Sequence, residues 1–319
     1  MRLTNRIFSG SSAREQLTGD KAPQEGHDLA SIKTYRYLRL GMLAGVAALF
    51  YSILEERFAS GVNCWLGAIS DYYYTPVHPV FVGVMVAIGL ALIVIKGSTV
   101  VEDAFLSLAG VMAPVVAFVP TMSVSDRCSN EMAAAGHYLP PAVDPRVANN
   151  SISNDLHAYV FAGSVILGLL LVVGLVQWLR NRNKHDDPSE LDQYTAGTWW
   201  SLVGALAVAG LAWGLLEGEY SWVLKAHGYS ALAMFAFLAL AALANGVFGV
   251  WKKYKYTKIG YAVVYLIIAA AMVATGIVYE VVDQSAFNGH LVLVVEIIEL
   301  GLFATFWALQ TVERWDYTV

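Results

Sequence analysis

Long uninterrupted apolar runs dominate this chain of 319 residues and limit what it can fold into. A helix needs about 20 mainly apolar residues to cross the ~30 Å hydrocarbon core of a bilayer. The runs are continuous, so they lack the 3.6-residue stripe of a soluble amphipathic helix and the alternation of a β-barrel strand. Eight stretches qualify as crossings: 38–57, 78–96, 102–120, 156–179, 198–216, 227–250, 259–282 and 289–311.

The composition agrees with these runs. The chain is 57% hydrophobic and only 14% charged, whereas about 25% of the residues in a soluble domain are charged. We therefore predict an all-α, polytopic transmembrane helix bundle of about eight crossings. Its predicted partner is the lipid bilayer, and nothing in the composition indicates binding to nucleic acid.

The basic residues predict the orientation of the bundle. All Lys and Arg residues except Arg57, Arg127, Arg146 and Lys225 fall on one side of the eight-crossing arrangement. The positive-inside rule then places both termini in the cytoplasm. Seven crossings would break this distribution, so eight are preferred.

The crossings divide the chain into simple parts. Residues 1–36 are polar and lack the apolar core of a signal peptide, so we predict a mobile cytoplasmic tail. Residues 37–312 form the transmembrane bundle, and its longest loop, about 121–155, is extracytoplasmic. Residues 313–319 are the predicted cytoplasmic C-terminus.

Only two cysteines occur, Cys64 and Cys128, and both fall in outward-facing loops. The outer side of a cell membrane is the oxidising one, so a disulfide between these loops is one interpretation. The other is a pair of free cysteines.

Four histidines open the outward ends of alternate crossings: His78, His157, His227 and His290. Alternate crossings share a direction, so all four imidazoles are predicted at the same depth. Neutral imidazole is a common zinc ligand, and a nearby acid such as Glu280 could complete the shell. The alternative is that each histidine only sits at the membrane–water boundary.

Glu296 and Glu299 lie within the last crossing, three residues apart and therefore on one helical face. A carboxylate at that depth is costly unless it is paired, protonated or in a wet cavity. They are candidate catalytic or ion-carrying groups, together with Asp71 in the outer loop before the second crossing. The alternative for the pair is a protonated glutamate hydrogen-bonded to a neighbouring helix.

Three functions follow from these residues. The first is an outward His/carboxylate cluster that binds metal, with zinc as the candidate ion, and hydrolyses a lipid or small molecule on the extracytoplasmic side. The second is a proton- or cation-coupled transporter that uses Glu296 and Glu299. The third is a non-catalytic accessory subunit. The inner halves of the helices carry almost no ionisable group, which counts against a full transport route, and Asn245 is interpreted as a packing group.

The segment AISDYYYTPVHPVFVG, followed by KGSTVVEDAFLSLAGVMAPVVAFVPT, resembles a group of uncharacterised bacterial membrane proteins. The resemblance covers crossings two and three and implies only a bacterial inner (cell) membrane, not an activity. The overall plan is also similar to that of intramembrane zinc hydrolases of the ceramidase and progestin-receptor type. Their Ser-x-x-x-His and His-x-x-x-His helices are missing here, so that similarity concerns architecture alone.

Overall fold

The computed structural model describes residues 21–95, 97, 99–119, 121, 127–138, 154–165 with scattered positions up to 179, 220–250, 259–283 and 285–315. This part of the chain is helical and contains no strand. Its main elements are α1 (Lys21–Ala59), α2 (His78–Val94), α3 (Val100–Phe118), α4 (Arg127–Ala134), α5 (Tyr220–Val250), α6 (Ile259–Val281) and α7 (Leu291–Glu313). Residues 154–165 are helical too, and a short 3-10 helix covers Ser70–Tyr74.

Among the described residues, five helices are long and apolar enough to cross a membrane. The candidate spans are Lys33–Ala59, Val101–Phe118, Lys225–Gly249, Ile259–Val281 and Leu291–Glu313. The all-helical membrane fold is therefore confirmed, whereas the number of eight crossings and the orientation of the termini stay predictions. α2 is apolar but only 17 residues long. Predicted crossing 198–216 lies outside the described residues, and 156–179 is described over 156–165 and at scattered positions beyond.

α1 extends further toward the N-terminus than the sequence predicts. The helix begins at Lys21, inside the predicted tail 1–36, and its candidate span begins at Lys33. The predicted loop 121–155 is described only in part; within it, α4 and the residues up to Tyr138 fold back onto the bundle.

The long helices form a closed ring. α1 packs on α2, α2 on α3, α3 on α5 and α5 on α6; α7 then packs on both α6 and α1. Small and large apolar side chains fill the interior, among them Leu92, Leu106, Ala113, Ala241 and Trp307. We call the end of the ring near Arg39 the inner end and the end near His290 the outer end.

Two glycines allow α2 and α3 to pack closely. A Cβ added to Gly89 would lie 2.7 Å from the carbonyl oxygen of Gly110, and one added to Gly110 would lie 2.6 Å from that of Gly89. Pro114 of α3 packs against the same point. Two backbones can approach this closely only where neither residue carries a side chain.

A segment between α1 and α2 covers the outer end of α7. We call residues 62–75 the outer strap. Its Gly67 carbonyl oxygen accepts a 2.9 Å hydrogen bond from the Leu293 backbone N–H. Leu293 lies in the first turn of α7, where backbone N–H groups have no partner within the helix. The strap thus completes the N-terminus of α7 and lies directly above its carboxylates.

Candidate functional site

The histidines at the outer end bind backbone carbonyls rather than one another. The Nδ1 of His78 lies 2.9 Å from the Tyr73 oxygen, and that of His227 lies 2.6 Å from the Val119 oxygen. A ring nitrogen that faces a carbonyl must carry the hydrogen, so each contact fixes the tautomer. These two side chains therefore hold loop and helix ends together.

His290 lies at the N-terminus of α7 with a carbonyl oxygen near each ring nitrogen. Its Nδ1 is 3.0 Å from the Phe287 oxygen, and its Nε2 is 3.1 Å from the Trp65 oxygen on the outer strap. A neutral imidazole carries one N–H and can satisfy only one of these acceptors. His290 thus links α7 to the strap and leaves no side for a shared ion.

The remaining predicted metal ligands are dispersed. His157 and Glu280 both lie on exposed helix surfaces. Within the described part of the chain, no group of three or more His, Cys, Asp or Glu side chains is arranged to hold a metal ion. The structure therefore does not support the predicted zinc site, because equal depth in the bilayer does not make side chains on separate helices point toward one centre.

Glu296 binds the outer strap. Its Oε2 accepts a 2.5 Å hydrogen bond from the Ile69 backbone N–H, and its Oε1 accepts one of 3.2 Å from the Ser70 hydroxyl. Ile69 is the N-cap position of the 3-10 helix. A carboxylate at a helix N-terminus satisfies N–H groups that the helix leaves open. Glu296 of α7 thus caps the N-terminus of the 3-10 helix, and both of its carboxyl oxygens accept hydrogen bonds.

Asp71 lies in the same 3-10 helix, half-buried. Its carboxylate packs against Gly67: a Cβ added to Gly67 would lie 3.2 Å from Asp71 Oδ2. The predicted residues Asp71 and Glu296 are thus neighbours through the strap.

Glu299 has very different surroundings from Glu296. Its side chain is 3% exposed, and the two residues before it, Ile297 and Ile298, face outward. The Thr275 hydroxyl of α6 donates a hydrogen bond to its Oε1. Its Oε2 has no hydrogen-bond partner among the described residues. Glu299 is thus a buried acid with a single hydroxyl partner on the neighbouring helix.

The Thr275 hydroxyl has more acceptors than hydrogens. Besides Glu299, its Oγ1 lies 2.8 Å from the Met272 oxygen and 3.2 Å from the Ala271 oxygen. With an ionised Glu299 the hydroxyl donates to the carboxylate. With a protonated Glu299 the acid can donate to Oγ1 while the hydroxyl turns to its own helix. Both protonation states therefore find a partner without movement of the backbone.

A buried polar network at the inner end was missed by the sequence analysis. The Nε2 of Gln310 donates to Glu102 Oε1 at 2.9 Å, and the Nη2 of Arg314 donates to Asn245 Oδ1 at 2.7 Å. Arg314 Nη1 also lies 3.9 Å from Glu102 Oε1. Asn245 of α5 therefore accepts hydrogen bonds from the α7 end, and Gln310 extends the network to Glu102 of α3.

Two further residues at this end bring in α1 and α6. Arg39 reaches the Gln310 carbonyl oxygen at 3.5 Å, and the Tyr265 hydroxyl donates to Glu313 Oε2 at 2.7 Å. The expectation of an almost uncharged inner half was thus wrong. In the sequence, each of these charged residues looks like an ordinary residue at a membrane boundary. Two features could have indicated the buried network: Glu102 in the Thr99-x-x-Glu pattern of a helix start, and Gln310 inside an apolar run.

A disulfide connects the outer strap to α4. Cys64 and Cys128 are bonded, with their Cα atoms 5.8 Å apart. The Arg57 guanidinium stacks on Trp65, with its Cζ 4.2 Å from the ring centroid. Both contacts hold the strap against the outer end of the ring.

The tyrosines of the strap are buried under this cover. Burial raises the pKa of the Tyr72 phenol to about 12 and also raises that of Tyr73. The phenol of Tyr72 is almost completely inaccessible to solvent. The strap is therefore a packed layer and leaves little water around its own side chains.

Comparison with known proteins adds no relative. No family model, curated protein or solved structure matches the chain. Function is therefore argued from the arrangement of the described residues alone.

Proposed function

We propose that this protein is a proton- or cation-coupled membrane transporter in which Glu299 carries the ion. The observation that supports this most strongly is the environment of Glu299, a buried acid whose only hydrogen-bond partner in the described structure is Thr275. An unpaired charge in the hydrocarbon region costs several kcal/mol, so an acid at such a depth favours a bound proton or cation. Exchange of that ion is the simplest use of such a group.

Glu296 lies between Glu299 and the outer end of the ring. The two carboxyl groups are one helical turn apart on α7, with Glu296 nearer the outer end. Glu296 accepts two hydrogen bonds from the strap, which hold its carboxyl group in place. When ionised, a carboxylate at this position attracts protons and cations toward Glu299. In this proposal Glu296 attracts the ion and Glu299 binds it.

An apolar layer separates Glu299 from the inner network. The buried side chains of Leu300, Phe303, Phe306 and Trp307 fill this part of α7. The distance from Glu299 to Gln310 along the helix is roughly 16 Å at a rise of 1.5 Å per residue. Transport requires both this layer and the strap above Glu296 to open, so the described arrangement corresponds to an occluded state of the proposed cycle.

A second candidate function is a non-catalytic membrane subunit. It is favoured by the contacts of His78, His227 and Glu296, which all serve to hold loops and helix ends. In that case Glu299 is a protonated packing group. The two functions differ in whether an ion crosses the membrane.

The test is ion flux through the purified full chain in liposomes. A proton gradient is applied with a pH-sensitive dye inside, and Na⁺ and K⁺ gradients are applied in parallel to identify the ion. We expect flux in the wild type and a loss of at least tenfold in Glu299→Gln. The matched variant Glu296→Gln keeps an acceptor oxygen for the strap and is expected to retain measurable flux. A wild type without flux of any of these ions, or a Glu299→Gln variant with full flux, would contradict transport by Glu299.

A further inference from the structure

Arg39 is a buried cation whose donors are mostly unused. Its side chain is 3% exposed, and its one hydrogen bond to a described residue is the long contact of 3.5 Å from Nη1 to the Gln310 carbonyl oxygen. Nε and Nη2 have no hydrogen-bond partner in the part of the chain that the structure describes. Taking a guanidinium out of water without satisfying its N–H groups is expensive.

Trp307 provides another unused donor beside Arg39. The indole is fully buried, and the guanidinium Cζ lies 5.9 Å from the centroid of its ring. Its Nε1 has no hydrogen-bond partner among the described residues either. Where the apolar layer meets the inner end, two neighbouring side chains of α1 and α7 thus carry three N–H-bearing nitrogens without acceptors among the described residues.

The acids nearby do not supply those acceptors. Glu102 accepts from Gln310 and faces Arg314, whereas Glu313 accepts from Tyr265. Glu313 Oε1 is also without a hydrogen bond within the described structure. No carboxylate of the described residues forms an ion pair with Arg39, since the pairs within 4.0 Å join other side chains.

We propose that Arg39 and Trp307 bind an oxyanion, a phosphate or carboxylate group, at the inner end of the ring. A guanidinium presents its N–H groups as a planar fork that fits two oxygens of such a group, and an indole N–H can donate to a third. The group can belong to a dissolved anion or to the headgroup of a lipid, because the inner end lies where headgroups would meet the helices. The site is separate from Glu299 and does not depend on transport.

The test measures anion binding to the full chain with inorganic phosphate and acetate as probes. Chloride at equal ionic strength serves as the reference. The midpoint of thermal unfolding is recorded in detergent against probe concentration. We expect phosphate to raise the midpoint of the wild type, with an apparent affinity that falls roughly tenfold or more in Arg39→Gln, since hydrogen bonds to a charged group are the strong ones.

Two further variants separate binding from folding. Trp307→Phe keeps an aromatic ring in the core and removes only the N–H, and a loss of affinity of roughly threefold or more is expected. Arg36→Gln is the matched control, because Arg36 lies on the same helix but donates to the Trp315 oxygen at 2.6 Å and stacks on that ring. Its affinity for phosphate should stay within about twofold of the wild type.

A second experiment, with lipids, distinguishes the two sources of the oxyanion. The chain is placed in nanodiscs of phosphatidylcholine with or without phosphatidate, and retained lipid is counted by native mass spectrometry. Phosphatidate retained by the wild type and lost in Arg39→Gln assigns the site to a headgroup, whereas phosphate binding without lipid preference assigns it to a dissolved anion. A wild type that responds to none of the three probes, or equal binding by Arg39→Gln, would overturn the proposal.

Discussion

At the scale of single residues, Glu296 and Glu299 show how surroundings separate two identical side chains. Glu296 accepts hydrogen bonds from Ile69 and Ser70 of the strap, whereas Glu299 has only Thr275 among the described residues. Their helical spacing is visible in the sequence. The fold of the strap decides which of the two carboxyl groups receives hydrogen bonds from several donors. No local sequence pattern predicts that fold.

Removing the Glu296 carboxylate should destabilise the outer end. Glu296→Ala leaves the Ile69 N–H and the Ser70 hydroxyl without their acceptor, which costs about 1–3 kcal/mol. Glu296→Gln should cost less because its amide oxygen still accepts. Thermal unfolding in detergent measures both changes, with Glu280→Ala on an exposed surface as the control. Equal stability of Glu296→Ala and the control would contradict the capping role.

Tyr72 should make stability fall at alkaline pH. Burial raises its pKa to about 12, while an unfolded tyrosine titrates near 10. Between these values the folded chain holds a proton that the unfolded chain releases, so the contribution is fully present below pH ~10 and is lost as pH rises through about 12. In Tyr72→Phe the loss above pH ~10 should shrink by up to about 3 kcal/mol.

The measurement is the unfolding midpoint as a function of pH. Tyr51→Phe is the matched control, since Tyr51 is 67% exposed. A pH profile of Tyr72→Phe that coincides with that of the wild type would show that the phenol is not protected by the strap.

At the scale of elements, the closeness of α2 and α3 depends on two glycines. Gly110→Ala would bring a methyl group within 2.6 Å of the Gly89 oxygen and 2.8 Å of Ile93. Because both neighbours lie within packed helices, we expect a loss of about 1–3 kcal/mol. Gly83→Ala, on the same pair of helices, meets no atom within 4 Å and should cost little. Thermal unfolding compares them, and equal midpoints would contradict the close crossing.

The elements were the most predictable part of the molecule. Apolar run length alone locates α3, α5, α6 and α7, because a helix that satisfies its own backbone is the ordinary way to cross lipid. The rotation of each helix about its axis was not predictable. The histidines show this: His227 turns toward Val119, whereas His290 turns toward the strap. The spacing of the histidines predicts an equal depth in the bilayer, but it carries no information on whether their side chains converge.

At the scale of the whole molecule, the ring has a polar layer at each end and an apolar layer between them. Glu296 and Glu299 belong to the outer layer, and Asn245 and Gln310 to the inner one. The inner layer was not predictable because its members are far apart in sequence and belong to several helices. They meet only because the end of α7 packs inside the ring, where it reaches Glu102 of α3 and Asn245 of α5.

The disulfide should contribute to the stability of the whole outer end. It links residues 64 positions apart, and the chain-entropy model assigns about 4 kcal/mol to a loop of that size. We expect Cys64→Ser with Cys128→Ser to lower the unfolding midpoint, and a reductant to lower it in the wild type alone. A reductant that shifts the double variant as much as the wild type would show that the bond is not the cause.

The most direct test of Glu299 as an ion carrier is infrared difference spectroscopy of the full chain in lipid nanodiscs as pH is varied. The signal is the carbonyl stretch of a protonated carboxylic acid in apolar surroundings. We predict a band that disappears when the proton leaves or when the coupled cation is added, that is absent from Glu299→Gln, and that persists in Glu296→Gln. A spectrum that does not change with pH or cation, or that is identical in the wild type and Glu299→Gln, would contradict ion exchange at Glu299.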